Sequence, residues 1–329
     1  MRKIEDLNNL IGNTPMIQID FTYKGKVKKI FAKAEYFNLS GSVKDRMAYH
    51  VLRLAYEKGD IKPGDTIVEA TSGNTGIAFC AMGAYLNHPV VIFMPDWMSD
   101  ERKKLIRSFG AKIVDVSKEE GGFTGSIEMA EEMAKSDGVF LPRQFENEDN
   151  ATGQYISLGR EIVDNLKSIG LVADGFVAGV GTGGTVMGAG KAIREANPNA
   201  KVFPLEPLES PTLETGGKKI GSHRIAGISD EFIPDLCKLD ELDDIISASD
   251  GDSILMAQKL AKSGLGVGIS SGANFIGAIK AMEKGCDVVA TVFPDDNKKY
   301  LSTALMEEEP VKDHYLSKDV EILGFKVIR

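Results

Sequence analysis

Apolar and polar positions follow a repeating order along the chain. A short β-branched run is followed by a turn, then by a stretch with apolar residues at helical spacing. Residues 29–36 predict a strand, and Ser42 can cap a helix that Gly59 ends. Strand 66–70 leads into helix 74–86. Strand 90–95 leads into helix 100–109, capped by Ser99 and closed by Gly110. Strand 112–117, helix 125–135, strand 139–141 and a longer helix over 151–166 come next. The order then restarts with strand 175–180, helix 184–196 and strand 201–205. Residues 207–234 are irregular and longer than a compact domain usually leaves without a purpose. Helices return at 252–262 and 272–284, with strand 287–293 after them. Residues 320–329 read as a strand that pairs across subunits. Strand–helix alternation with apolar strands predicts an α/β fold of two mainly parallel sheets flanked by helices, with a seam near residue 148.

Composition narrows the function classes. The chain has 329 residues, enough for two domains, and a formal net charge of −9. No basic run exceeds Lys28-Lys29 or Arg102-Lys103-Lys104, which argues against nucleic acid as a partner. Cys80, Cys237 and Cys286 lie far apart without a CxxC pair, and the histidines form no HxxxH pair, so no metal is expected. Three scattered thiols suit a reducing, cytoplasmic setting. The most apolar stretch, 77–86, meets Asn87-His88-Pro89 too soon to span a membrane. The N-terminus turns acidic where a signal peptide would need its apolar core.

Four motifs compete. Gly179-Val180-Gly181-Thr182-Gly183-Gly184 is a literal GxGxxG after a strand, with Glu206 where a ribose-binding acid would stand; alone it suggests a dinucleotide oxidoreductase. Gly268-Ile269-Ser270-Ser271-Gly272 is a literal GxSxG, followed by Asp295, Asp296 and His314 in hydrolase order. Ser40-Gly41-Ser42-Val43-Lys44-Asp45-Arg46 puts Lys44 in the first helical turn, where the helix dipole disfavours a cation. A lysine there is either a solvated surface residue or an amine that works neutral, as a Schiff-base partner. Thr71-Ser72-Gly73-Asn74-Thr75-Gly76 is a strand-to-helix turn whose N–H groups and hydroxyls suit a carboxylate, or else an ordinary capped turn. One site using all four stretches is simpler than a fusion of two.

Those motifs, with Arg143-Gln144-Phe145, Gly181–Thr185 and Gly268–Ala273, resemble the cysteine synthase and cystathionine β-synthase family of fold-type-II pyridoxal-phosphate enzymes. The resemblance runs from Ile11-Gly12-Asn13-Thr14-Pro15 to Tyr300-Leu301-Ser302-Thr303. It implies a tryptophan synthase β-like fold. Residues 36–148 would form a smaller, mobile substrate domain, and 1–35 plus 149–329 a larger domain binding the cofactor phosphate. It implies pyridoxal 5'-phosphate on Lys44, with Asn74 at the ring hydroxyl, Gly181, Thr182, Gly183, Gly184 and Thr185 at the phosphate, and Ser270 at the pyridine nitrogen. It implies Thr71, Ser72, Thr75 and Gln144 at the substrate carboxylate. The partners implied are a small amino acid and a second copy in a homodimer.

Three positions depart from the family. Leu39 stands where proline commonly precedes SGSVKDR, and 294–297 replaces a small Ser/Thr–Gly segment near the cofactor ring. Asp230 stands where cysteine synthases usually carry glycine or alanine. A carboxylate there repels hydrosulfide at about 4 Å by roughly 1–4 kcal/mol at effective dielectrics between water and a protein surface. It does not repel water, and it can take water's proton. The expectation is therefore β-replacement on L-cysteine through an aminoacrylate, with Lys44 and Asp230 catalytic and L-serine and hydrogen sulfide as products. The alternatives are cysteine synthesis from O-acetylserine and sulfide, or a cystathionine β-synthase-like activity.

Overall fold

The computed structural model describes residues 3–328. Its strands are β1 (Met16–Tyr23), β2 (Lys26–Ala34), β3 (Thr66–Ala70), β4 (Val90–Pro95), β5 (Lys112–Val116), β6 (Val139–Phe140), β7 (Gly175–Gly179), β8 (Lys201–Pro207), β9 (Ile246–Ala248), β10 (Val289–Phe293) and β11 (Val320–Ile328). Its helices are α1 (Lys44–Lys58), α2 (Asn74–Leu86), α3 (Asp100–Ser108), α4 (Gly122–Met133), α5 (Asp149–Gln154), α6 (Arg160–Ser168), α7 (Gly184–Ala196), α8 (Asp250–Lys262) and α9 (Ile269–Glu283). A four-stranded parallel sheet runs β5-β4-β3-β6. A seven-stranded sheet runs β11-β1-β2-β10-β7-β8-β9, parallel from β2 to β9 and antiparallel at β1 and β11.

Apolar strands form the middle of each sheet because helices cover both faces. β10 is buried along its whole length, and α2, buried between sheet and helices, is apolar nearly all round. The small sheet packs α1 and α2 together with Ile4, Leu7 and Ile11. Val68 and Ala70 pack instead with Ala130 of α4. In the large sheet, α8 and α9 share one core with β1, and α6 and α7 another with Phe176 and Val202.

The differences from the sequence reading are local. β2 begins earlier and ends at Ala34, because residues 35–37 turn into a 3-10 helix. The N-cap of α1 is Val43 rather than Ser42, whose Oγ accepts from the Lys44 amide at 3.3 Å. The helix expected over 151–166 spans α5 and α6 with a π turn, Tyr155–Gly159, between them. Gly159 lies so close to α7 that a Cβ there would stand 2.6 Å from the Ala192 Cβ. The strand expected over 320–329 is β11, which pairs with β1 and stands at the edge of the large sheet. Arg329, the last residue of that expectation, lies outside the described residues.

Both sheets point the carboxyl ends of their central strands at one cleft, where ligands of open α/β sheets bind. The segment linking them crosses there: Ser42 bridges Asp295, and the Val43 amide donates to the Pro294 carbonyl at 2.9 Å.

Candidate active site

Lys44 is the first residue of α1, so its side chain leaves the helix at the point where the chain crosses between the sheets. Its neighbours in the motif build that point. The Asp45 carboxylate is wholly buried and accepts from the Ser40 and Ser42 amides at 3.0 and 3.3 Å, closing the turn. Arg46 is buried in ion pairs with Glu35 and Glu161, each at 2.6 Å, which tie the base of α1 to the other elements. The Lys44 amine has no hydrogen-bond or ion-pair partner among the described residues. Burial lowers its pKa, against the opposing pull of Asp230 and Asp295. A lowered pKa favours the neutral amine, the form that acts as a nucleophile.

The turn after β3 is tightly held. The Thr71 hydroxyl accepts from the Gly73 amide at 3.0 Å. A Cβ on Gly73 would stand 2.2 Å from the Arg102 side chain, so only glycine allows this approach. Thr75 donates to the Gln144 Oε1 at 2.6 Å, and Gln144 Nε2 donates to the Ala70 carbonyl at 2.7 Å. The Gln144 amide meets Glu69 Oε2 at 3.3 Å, and Glu69 is buried; burial pushes its carboxyl up to about 8. Ser72 lines the same cleft wall.

Asn74 is fixed at both ends of its carboxamide. Nδ2 donates to Asp295 at 2.8 Å, and Oδ1 accepts from Lys299 at 3.0 Å. Tyr300 donates to the same Asp295 oxygen at 2.8 Å. The second Nδ2 hydrogen has no partner in these contacts, which leaves a donor for a ring oxygen.

The glycine turn before α7 exists because side chains would not fit. Gly183 has φ +86, and its Cβ would stand 3.0 Å from the Cys237 amide nitrogen. A Cβ on Gly181 would lie 2.5 Å from the Gly227 carbonyl oxygen, and one on Gly184 2.2 Å from Asn150 Oδ1. Gly181, Thr182 and Thr185 line the cleft, while Gly183 and Gly184 stand behind them. This opens the N-terminus of a thirteen-residue helix onto the cleft, a setting for a phosphate. Ser270, the second residue of α9, lines the same cleft, and its hydroxyl has no partner among the described residues. The donors present therefore suit a ring that carries a phosphate, a hydroxyl and a nitrogen, with an aldehyde at the lysine.

Asp230 lines the cleft from the long loop 208–238. Its carboxylate makes no hydrogen bond among the described residues. Burial pushes its pKa up to about 6, the Lys44 charge opposing and Glu231 adding to the rise. One cleft thus gathers Lys44, Thr71, Ser72, Asn74, Thr75, Gln144, Gly181, Thr182, Thr185, Asp230 and Ser270.

The competing motifs resolve differently. Glu206 is wholly buried, and its oxygens accept from the Leu213 and Glu214 amides at 2.6 and 3.2 Å. It anchors the long loop and offers nothing to a ribose. His314 is exposed and meets the Tyr315 ring edge-to-face, away from the cleft lining that holds Ser270. Two supporting residues were not singled out from sequence. Arg102 turns inward from its basic run to line the cleft, stacked 4.7 Å over the Tyr300 ring. Lys299 holds Asn74, and the only sequence sign of it was the unusual 294–297 segment beside it.

Residues 7–295 match the family model described as pyridoxal-phosphate dependent enzyme. A cysteine synthase of Staphylococcus aureus is 38% identical over 308 residues, 92% of this chain and 97% of that protein. A hydrogen sulfide-producing enzyme of Fusobacterium nucleatum superposes with a TM-score of 0.97 at 62% identity, covering 99% of this chain and 98% of that one. An O-acetylserine dependent cystathionine β-synthase of Helicobacter pylori superposes with a TM-score of 0.82 at 34% identity, covering 93% and 99%. Among the described residues no helix is long and apolar enough to cross a membrane.

Proposed function

The chain belongs to the pyridoxal-phosphate-dependent enzymes of the cysteine synthase family, and we propose that within it the chain hydrates L-cysteine to L-serine and hydrogen sulfide. One observation carries the reading: a carboxylate, Asp230, lines the same cleft as the Lys44 amine, and its pKa is raised to about 6. In the reaction the Cβ–S bond breaks, a Cβ–O bond forms from water, and sulfur leaves as hydrogen sulfide, with no net oxidation.

When bound, pyridoxal phosphate supplies the electron withdrawal that acidifies the substrate's Cα–H. In this reading Lys44 is its covalent attachment point. Asn74 faces the ring hydroxyl, Ser270 the ring nitrogen, and Gly181–Thr185 the phosphate. A serine hydroxyl does not hold the ring nitrogen protonated as a carboxylate would, which favours loss of the β-group over transamination. Thr71, Ser72, Thr75 and Gln144 hold the substrate carboxylate. Lys44 takes the Cα proton. After sulfide leaves, Asp230 takes a proton from the water that attacks Cβ, and Lys44 returns a proton to Cα. Hydrosulfide meets the Asp230 charge on its way back; water does not.

Two further facts support the reading. The Fusobacterium relative is called hydrogen sulfide-producing, and an aspartate-to-asparagine variant of it is complexed with an α-aminoacrylate intermediate. Loss of the Asp230 carboxylate should halt this chain at the same stage. The reading places the enzyme in the cytoplasm as a homodimer, with residues 36–148 closing over the substrate; light scattering checks the dimer.

The test is product analysis with cysteine alone in ¹⁸O-labelled water. Serine carrying one ¹⁸O and an equal amount of sulfide is the expected result. Pyruvate in place of serine refutes it. So does rapid cysteine formation from O-acetylserine and sulfide with no serine from cysteine.

A further inference from the structure

The Asp230 carboxylate has no hydrogen bond of its own among the described residues, so its position depends on the backbone that sets the direction of its Cα–Cβ bond and on its packing. The residue before it, Ser229, has φ +54, a left-handed conformation uncommon for a residue with a side chain. That conformation is held from several sides. The Ser229 amide donates to the Val180 carbonyl at 2.8 Å, tying it to the turn that leads into Gly181. Its hydroxyl lies 3.2 Å from the Ser210 carbonyl and 3.3 Å from the hydroxyls of Ser210 and Thr212. Its carbonyl faces His223 Nε2 at 3.2 Å.

The last contact bears most directly on Asp230. The Ser229 carbonyl belongs to the planar peptide unit whose nitrogen is that of Asp230. Fixing the carbonyl fixes that plane, and with it the direction of the Asp230 Cα–Cβ bond to within one remaining backbone torsion. The histidine is itself oriented. The Ile225 amide donates to its Nδ1 at 3.2 Å, so Nδ1 is bare and Nε2 carries the hydrogen it donates to Ser229. Burial lowers the His223 pKa and keeps this neutral form, with Asp250 and Glu209 the acids that oppose the shift. The next residue, Arg224, is clamped to Asp250 at 2.9 Å and to Glu309 at 2.6 Å. The donor therefore sits on an anchored arm.

We infer that His223, acting through the Ser229 carbonyl, is a positioning residue that aims the Asp230 carboxylate at the reacting carbon, and so selects water as the nucleophile. This rests on Asp230 being the base for hydration. His223 is not among the residues that line the cleft, so it acts through Ser229 rather than on the reacting atoms.

The experiment separates the donor from the ring. His223→Gln can place an amide N–H near the Nε2 position; His223→Asn reaches only the Nδ1 position and loses the donor to Ser229. Each holoenzyme is mixed with cysteine. Sulfide release in the first turnover, serine formation and cofactor absorbance are followed, with thermal melts as a check on folding. His223→Asn is expected to release its first sulfide within about twofold of the native rate. It should form serine at least about tenfold more slowly, part of the factor a general base contributes. The unsaturated three-carbon unit should accumulate, and His223→Gln should restore serine formation to within about threefold. In an Asp230→Asn background, His223→Asn should add less than about a twofold further loss, because the base it aims is gone. Native serine formation by His223→Asn overturns the inference. So does an equal loss of sulfide release and serine formation, which would mark general damage. Asp230→Asn in parallel tells the two failures apart: normal serine formation there removes the base itself, and the inference with it.

Discussion

Asp230→Asn tests the step that divides hydration from synthesis. The substitution keeps the size of the side chain and removes its ability to take a proton. With its pKa pushed up to about 6, the native carboxylate is about nine-tenths ionised at pH 7. It is also a better proton acceptor than an ordinary aspartate, whose pKa lies near 3.8. Serine formation should therefore fall about tenfold per pH step below 6, where an ordinary aspartate would keep it level to about 4. Removing a general base costs about 10²–10⁴-fold, so serine formation by the variant should fall by that factor and lose its acidic limb. Sulfide release in the first turnover should survive, because the Lys44 amine is intact. Rapid-quench measurement should then find one sulfide per site, almost no serine, and a displaced cofactor absorbance. An added thiol, partly ionised already, should rescue turnover as a replacement nucleophile better than water does. Serine formation at the native rate refutes the assignment, as does loss of sulfide release in proportion to serine.

Three further outcomes are expected. Lys44→Ala should abolish turnover, and borohydride reduction of the native enzyme should leave the cofactor on the peptide carrying Lys44, as mass spectrometry can show; an adduct on another lysine overturns the assignment. Gln144→Ala and Thr71→Ala should raise the KM for cysteine about ten- to a hundredfold, the worth of a charge-assisted hydrogen bond of about 1.5–3 kcal/mol, while cofactor titration stays near native. Glu69 has its carboxyl raised from the usual carboxylate range to about 8 in the folded chain, so the stability it contributes is complete below about 4.5 and lost as pH rises through 8. Urea midpoints of the native protein should therefore fall between pH 5 and 8 more steeply than those of Glu69→Gln, and parallel curves would refute this.

Strands β3 and β4 and helix α2 were legible to the residue, because their signals are local: a short run of mainly apolar or β-branched residues bounded by turn-forming ones. What the sequence did not disclose depends on contacts between distant segments. The residues that tie Asn74 in place, Asp295 and Lys299, lie more than 200 positions away. Nothing local marks Arg102 as the one member of its basic run that turns inward; Lys103 beside it pairs with Asp115 on the sheet. The C-terminal strand shows the same limit. Its residues read as a strand, but that reading does not name its neighbour within the sheet, which is β1.

The candidate site divides along the same line. Lys44, Asn74 and the Gly181–Thr185 turn could be found because each sits where a strand passes into a helix, and that geometry constrains the sequence itself. Asp230 could be found only as a departure from a family pattern, since an aspartate in a polar loop is ordinarily a solvated one. What makes it more than that is the path of residues 208–238, and that path is set by groups that resemble something else in sequence. Glu206 stands where a dinucleotide-binding acid would, yet both its oxygens are occupied by the amides of Leu213 and Glu214, at the start of this loop. The glycine turn can cradle a phosphate in either kind of enzyme. The acid decides between them, and here it is already bonded to the loop that carries the proposed base.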